Sequence, residues 1–243
     1  MSTVKFYQVG GSVRDLYLHR VCKSADIDYA VEAESYAKMK QAVLELGHRI
    51  CHEKPEFLSL RAIDSCTREV IDYTLCRKDG TYSDHRHPDQ VEIGTIMTDL
   101  GRRDFTINAM ALTVGTERVL LDPYGGLADL EARMIRCVGE TRDRIMEDPL
   151  RLMRALRFAI TLDFQLSEEL KQSLLDPEII QFLTTIPVER RAQELTKMFK
   201  FDTAKTVTML GRYTLLMQPI FSDGLWLLPT TKSYYFGQRE HFA

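Results

Sequence analysis

The sequence is poor in the features that would assign it to several protein classes. It has five cysteines, Cys22, Cys51, Cys66, Cys76 and Cys137, and no two form a C-x-x-C pair. That removes the usual zinc spacings and argues against a disulfide frame. Scattered thiols suit a reducing, cytoplasmic setting. No apolar run reaches membrane-spanning length, and the N-terminus lacks a signal-peptide hydrophobic region, so no membrane partner is expected. Strong charge of either sign is also missing. Thirty-two Lys and Arg face 35 Asp and Glu, so any contact with nucleic acid must come from local basic groups and not from the overall field. The acidic excess lies before residue 138, and the remainder is neutral. Internal repeats and low-complexity tracts are absent.

What is present allows a core: 44% of residues are hydrophobic, an ordinary share for a globular chain. The most informative stretch is Gly10-Gly11-Ser12-Val13-Arg14-Asp15, followed by Ala25-Asp26-Ile27-Asp28-Tyr29. Residues 4–9 read as a strand, and the two glycines open a short helix from Ser12 to about Arg20. Gly10 and Gly11 let backbone N–H groups approach an anion closely. Residues 27–32 read as a second strand. In a strand, residues two apart share a face, so Asp26 and Asp28 are expected side by side. Two carboxylates that close repel unless a cation lies between them, and Mg²⁺ is the usual occupant. The opposing reading is a solvated turn after Ser24.

Further along, Ser35 to His48 has helical spacing, with Ser35 as cap and Gly47 near the end. Residues 57–63 and 69–75 read as paired strands, and the second carries Asp72. Asp72 would hold metal or orient an attacking hydroxyl; the alternative is an edge-strand acid facing water. Residues 77–90 are polar and without period, and read as a long loop. In it, His85 and His87 flank Arg86, as metal ligands or as solvated loop residues. Arg102-Arg103-Asp104 precedes an expected helix start capped by Asp104. Val119 to Leu121 reads as a short strand, and Leu127 to Met134 as a short helix.

After Gly139 no strand is convincing. Residues 145–149 lead into a helix running to about residue 160, with Pro149 in its first turn, and further helices are expected at about 167 to 175, 187 to 199 and 203 to 210. The division this implies is 1–138 as a mixed α/β head, 139–215 as an all-helical piece, and 216–243 as an irregular segment. Arg14 and Arg103 would pin triphosphate oxygens, or remain surface arginines. Asp148, Arg151, Arg154 and Arg157 are spaced by three, so neighbours in the series touch on a helix. Asp148 and Arg151 would offer an acceptor and a donor fork to one base edge. Arg154 and Arg157 would reach phosphate or brace the helix; a solvated charged face is the plainer reading. The Glu189–Leu195 stretch is assigned to bracing the helix of Asp148 to Arg157.

Taken together, these motifs resemble the class II nucleotidyltransferases, the family of tRNA CCA-adding enzymes and bacterial poly(A) polymerases. Five motifs occur in the family order: Gly10–Asp15 with Asp26-Ile27-Asp28; Arg102–Met110; Asp122-Pro123-Tyr124-Gly125-Gly126-Leu127; Glu147-Asp148-Pro149-Leu150-Arg151; and Glu189–Leu195. The resemblance implies an α+β fold, a nucleotidyltransferase head with a small mixed β-sheet flanked by helices, followed by an all-helical neck. It implies that Asp26 and Asp28 carry two Mg²⁺. Gly10, Gly11, Arg14 and Arg103 would bind the triphosphate, with Asp104 and Asn108 sensing the ribose. Asp148 and Arg151 would read the base edges of CTP and ATP, assisted by Arg154 and Arg157. The implied reaction adds C, C and A to tRNA 3′ ends; poly(A) addition or an inactive RNA-binding module are the alternatives. Family members continue well beyond the point where this chain ends, into body and tail domains that grip tRNA. The acceptors this leaves open are a full tRNA held by a dimer, a minihelix, or RNA ends in general.

Overall fold

In the computed structural model the described residues are 4–20, 27–80, 91–115 and 117–221. The chain divides into two compact units, with the change between Glu140 and Thr141.

The first unit is built on a seven-stranded mixed sheet. Its strands are β1 (Lys5–Val9), β2 (Ile27–Glu32), β3 (Arg49–Lys54), β4 (Ser59–Ile63), β5 (Val70–Leu75), β8 (Ala111–Thr113) and β9 (Leu120–Leu121), in the order β3-β4-β5-β2-β1-β8-β9. β2 and β5 are parallel, and the remaining neighbours are antiparallel. Alternate residues along each strand set the two faces. Val31, Leu60, Ala62, Ile71, Tyr73 and Leu75 bury one face against Met39 and Val43 of α2 (Tyr36–Glu45). Ser35 starts α2 as its cap, accepting a hydrogen bond from the Lys38 N–H. Tyr7, Val9, Ala30 and Ala111 bury the other face with Ile96 and Leu100 of α3 (Ile96–Gly101). Glu32 ties this face together, because its Oε1 accepts the Ile96 N–H at 2.5 Å and its Oε2 accepts the Tyr7 hydroxyl at 3.3 Å.

Several elements depart from the expectations. Arg49–Lys54 pairs as an edge strand, with a register shift around Cys51. Its residues are mostly polar, so its strand character comes from pairing with β4 and not from its own composition. The expected loop over residues 77–90 begins with a strand, β6 (Arg77–Asp79), which pairs with β7 (Val91–Ile93); residues 81–90 lie outside the described residues. His85 and His87 lie outside the described residues. The expected α-helix after Asp104 is a single 3-10 turn, Thr106–Asn108, that leads straight into β8. The rest of this unit comprises α1 (Gly11–Tyr17), α4 (Gly126–Glu131) and the two-residue strand β10 (Met134–Ile135).

The second unit is helical: α5 (Thr141–Glu147), α6 (Leu150–Leu162), α7 (Glu168–Ser173), α8 (Pro177–Ile180), α9 (Val188–Phe201), α10 (Thr203–Arg212) and α11 (Met217–Phe221). The two-residue strand β11 (Gln165–Leu166) is a small departure from an all-helical piece. Leu152, Leu156 and Ala159 of α6 are buried, as their spacing predicts, and α6 packs on α9. The segment expected to be irregular from residue 216 is helical as far as Phe221. Arg191 of α9, almost fully buried, fastens it by donating to the Pro219 carbonyl. No helix among the described residues is long and apolar enough to cross a membrane.

Candidate active site

The first unit gathers Gly10, Arg14, Asp28, Arg103, Asp104 and Asn108 at the ends of β1 and β2. Gly10 leaves β1 with φ +73°, a left-handed value that favours glycine. Space imposes glycine too. A methyl group there would lie 3.2 Å from Arg103 Nη1 and 3.8 Å from Asp28 Oδ2. Two side chains of opposite charge therefore crowd one Cα.

Asn108 is the centre of the cluster. Its Oδ1 accepts from Arg14 Nη1 at 2.8 Å, and its backbone carbonyl accepts from Arg103 Nη1 at 3.3 Å. Its own Nδ2 donates to Asp104 Oδ1 at 3.0 Å, and that oxygen also accepts the Phe105 N–H at 2.8 Å. Asp104 thus closes the 3-10 turn and fixes the amide of Asn108. The two guanidiniums converge on one residue while each is held from behind by an acid. Asp15 Oδ1 takes Arg14 Nε at 2.9 Å, and Asp99 Oδ2 takes Arg103 Nη2 at 3.0 Å. Guanidiniums aimed in this way have the planar fork of donors that can pair with an anion bidentately.

Asp28 is exposed at the start of β2 and stands in register with Asp72 on the parallel neighbour β5. In-register residues share a face, so two carboxylates lie side by side. Oxygen donors of this kind fit a hard divalent cation such as Mg²⁺. Asp72 is engaged, however: Arg61 Nε and Nη2 donate to its two oxygens, each at 2.7 Å. Asp26 lies outside the described residues. Among the described residues no three His, Cys, Asp or Glu are grouped as a metal cluster.

The family model described as the poly(A) polymerase head domain matches residues 6–136, the stretch that holds this cluster. The chain belongs to the poly(A) polymerase head-domain family. Its similarity runs beyond the head. The CCA-adding enzyme of Streptococcus thermophilus is 33% identical over 231 residues, covering 95% of this chain and 50% of that protein. The CCA-adding enzyme of Listeria monocytogenes is 36% identical over 200 residues, covering 82% of this chain and 48% of that protein. Among solved structures, the Bacillus stearothermophilus CCA-adding enzyme in complex with CTP gives a TM-score of 0.72 at 29% identity, covering 87% of this chain and 49% of that one. A tRNA nucleotidyltransferase complexed with a primer tRNA and an incoming ATP analog gives 0.74 at 28% identity, covering 97% and 65%. The chain spans about half the length of the curated relatives it matches.

One residue of this head domain escaped the sequence reading. Asp99, 1% exposed, accepts from both Arg102 and Arg103 through its two oxygens. Burial pushes its carboxyl up, but the Arg102 and Arg103 charges and hydrogen bonds outweigh burial and hold it below the usual carboxylate value. The signal was available: Asp99, Arg102 and Arg103 stand at i, i+3 and i+4, the helical contact spacing. The Asp122–Leu127 motif supports the same region. Asp122 accepts the Gly126 and Leu127 N–H groups at 2.6 and 2.8 Å and so starts α4. A methyl group on Gly126 would come within 2.3 Å of the Thr106 carbonyl, so only glycine lets α4 lie against the 3-10 turn.

In the second unit, Asp148 Oδ1 accepts the Leu150 N–H and its Oδ2 accepts Arg190 Nη2, both at 3.2 Å. Arg151, 7% exposed, donates through Nη1 to the Arg144 carbonyl at 2.6 Å and to Glu147 at 2.9 Å. The pair at the start of α6 is therefore rigidly seated. Arg157 has a structural partner: its Nε donates to buried Glu194 at 2.5 Å, and its guanidinium lies 4.0 Å over the Phe158 ring. Arg154 lies at 5.7 Å from the same ring. Burial pushes Glu194 up, and the Arg157 charge and hydrogen bond more than reverse it.

Proposed function

We propose that this chain carries the catalytic machinery of an Mg²⁺-dependent RNA nucleotidyltransferase that adds C, C and A to the 3′ ends of tRNA in the cytoplasm, with CTP and ATP as donors. The observation that carries the reading is the convergence of Arg14 and Arg103 on Asn108, beside Gly10 and Asp28. Gly10 and Gly11 admit the triphosphate close to the backbone, and Arg14 and Arg103 grip its oxygens bidentately. Asn108, oriented by Asp104, meets the ribose. Asp28 with Asp26 would hold Mg²⁺, which when bound neutralises the developing charge and activates the attacking 3′-hydroxyl. Catalysis of this type is positioning plus electrostatics, and the hydrogen-bonded arginines supply both before substrate arrives.

Asp148 and Arg151 supply an acceptor and a donor to the Watson–Crick edge of C or A, with Arg154 assisting. Arg157 contributes by bracing α6 through Glu194. The bacterial relatives named as CCA-adding enzymes support this reading. A poly(A) polymerase is the second reading, favoured by the description of the matching head-domain family.

Incubating the protein with tRNA lacking its terminal CCA and with each nucleoside triphosphate tests the proposal. The expected product gains two C and one A. Long A tails without any need for CTP would favour the second reading. UTP and GTP used as well as CTP would remove the base-reading role of Asp148 and Arg151. No incorporation at all would leave an inactive RNA-binding module.

A further inference from the structure

The sheet face that carries Asp28 holds a charged residue with no role in the reading above. Arg61 on β4 stands in register with Asp72 on β5, and Asp72 stands in register with Asp28 on β2. The three side chains therefore form a row across adjacent strands. Arg61 fits the Asp72 carboxylate as a fork, Nε to Oδ1 and Nη2 to Oδ2, both at 2.7 Å. Both oxygens that would face a cation are turned to a guanidinium instead. Hydrogen bonding to Asp72, and then its charge, hold Arg61 above its ordinary value, with Asp28 adding a smaller contribution. The side chains of Arg61 and Asp72 are 53% and 41% exposed, so the row opens to solvent and to small ions.

We propose that Arg61 is a positioning residue that withholds Asp72 from the divalent cation and so weakens metal binding at the Asp28 site. The proposal rests on the reading that Asp28 holds the cation. Two effects act in one direction. Asp72 must leave its bidentate partner before its lone pairs can reach a metal. A fixed positive charge two strands from Asp28 also repels an incoming dication. Lysine would not serve, being a point charge without the planar fork. Because the pair is exposed, its hold is modest, and the expected effect is roughly two- to fivefold in metal affinity.

The experiment titrates Mn²⁺ alone into the full 243-residue chain and reads free Mn²⁺ by electron paramagnetic resonance. Arg61→Ala is expected to bind Mn²⁺ roughly two- to fivefold more tightly than the parent. Arg61→Ala with Asp72→Asn is expected to return to near the parent affinity, because the freed carboxylate is then gone and its lost negative charge offsets the lost positive charge of Arg61. Arg61→Met, which keeps the apolar stem, replaces Arg61→Ala if circular dichroism finds the latter unfolded. Equal or weaker binding by the single variant, with the parent binding normally, overturns the role of Arg61 alone. Absence of Mn²⁺ binding in both overturns the metal reading of Asp28 and this proposal with it.

Discussion

Replacing Asp99 by asparagine tests how the arginine cradle is held. Asp99 is buried and accepts four hydrogen bonds from Arg102 and Arg103, at 2.6 to 3.3 Å. Removing one partner of a buried ion pair costs about 3–5 kcal/mol. Here each guanidinium is 21% exposed and water can replace part of what is lost, so about 2–3 kcal/mol is the appropriate figure. At this chain length that lowers Tm by roughly 5–10 °C. Arg103 also loses the group that aims it, and KM for the nucleoside triphosphate is expected to rise about tenfold, equivalent to about 1.4 kcal/mol. Calorimetric melts and steady-state kinetics read the two effects. The pH dependence supplies a sign check. Asp99 has a folded-state value below its unfolded value of about 3.9, so its stabilisation is complete above that pH and is lost as pH falls through the folded value. The Tm gap between parent and variant should be constant near neutrality and shrink below about pH 4. An Asp99→Asn protein that melts with the parent and keeps its KM would refute this account of the cradle.

Three further substitutions have definite outcomes. Gly10→Ala forces a side chain into a left-handed backbone, 3.2 Å from Arg103 Nη1, and should cost about 1–3 kcal/mol in urea denaturation while raising KM for nucleotide. Arg157→Ala leaves Glu194 buried without its main partner and should destabilise the second unit by about 3–5 kcal/mol, read by circular dichroism melts at pH 7. Ser35→Ala removes the cap that accepts the Lys38 N–H and should cost about 1 kcal/mol in the same melts, with incorporation unchanged.

The sequence carried the parts of this fold whose signals are local. Ser35 and the apolar spacing of Met39 and Val43 announce α2, and the β-branched run of β5 announces its strand. Arg49–Lys54 was invisible because an exposed edge strand needs no apolar alternation; β4 supplies what makes it a strand. The helix expected after Asp104 is a single turn because β8 already begins at Ala111, and Asn108 Nδ2 donating to Asp104 ties that turn. For the site, Gly10, Arg14, Arg103, Asp104 and Asn108 were named together through the resemblance their motifs carry, and the fold brings them into one cluster. Cross-strand side-chain pairing was not legible. Nothing in the spacing of Arg61 and Asp72 says that they pair, since their contact depends on strand register. By contrast, the bracing of the Asp148–Arg157 helix by Glu189–Leu195 was legible, and Arg157 donating to Glu194 where α6 packs on α9 is its form.

The central claim is that Asp28 holds a divalent cation beside an arginine cradle for the triphosphate. A crystal structure of the chain with CTP and Mn²⁺, phased to show anomalous scattering, tests it most directly. The account predicts a manganese peak in coordination contact with Asp28 and triphosphate oxygens on Arg14 and Arg103. CTP bound elsewhere, with Asp28 in contact with solvent alone, would contradict it.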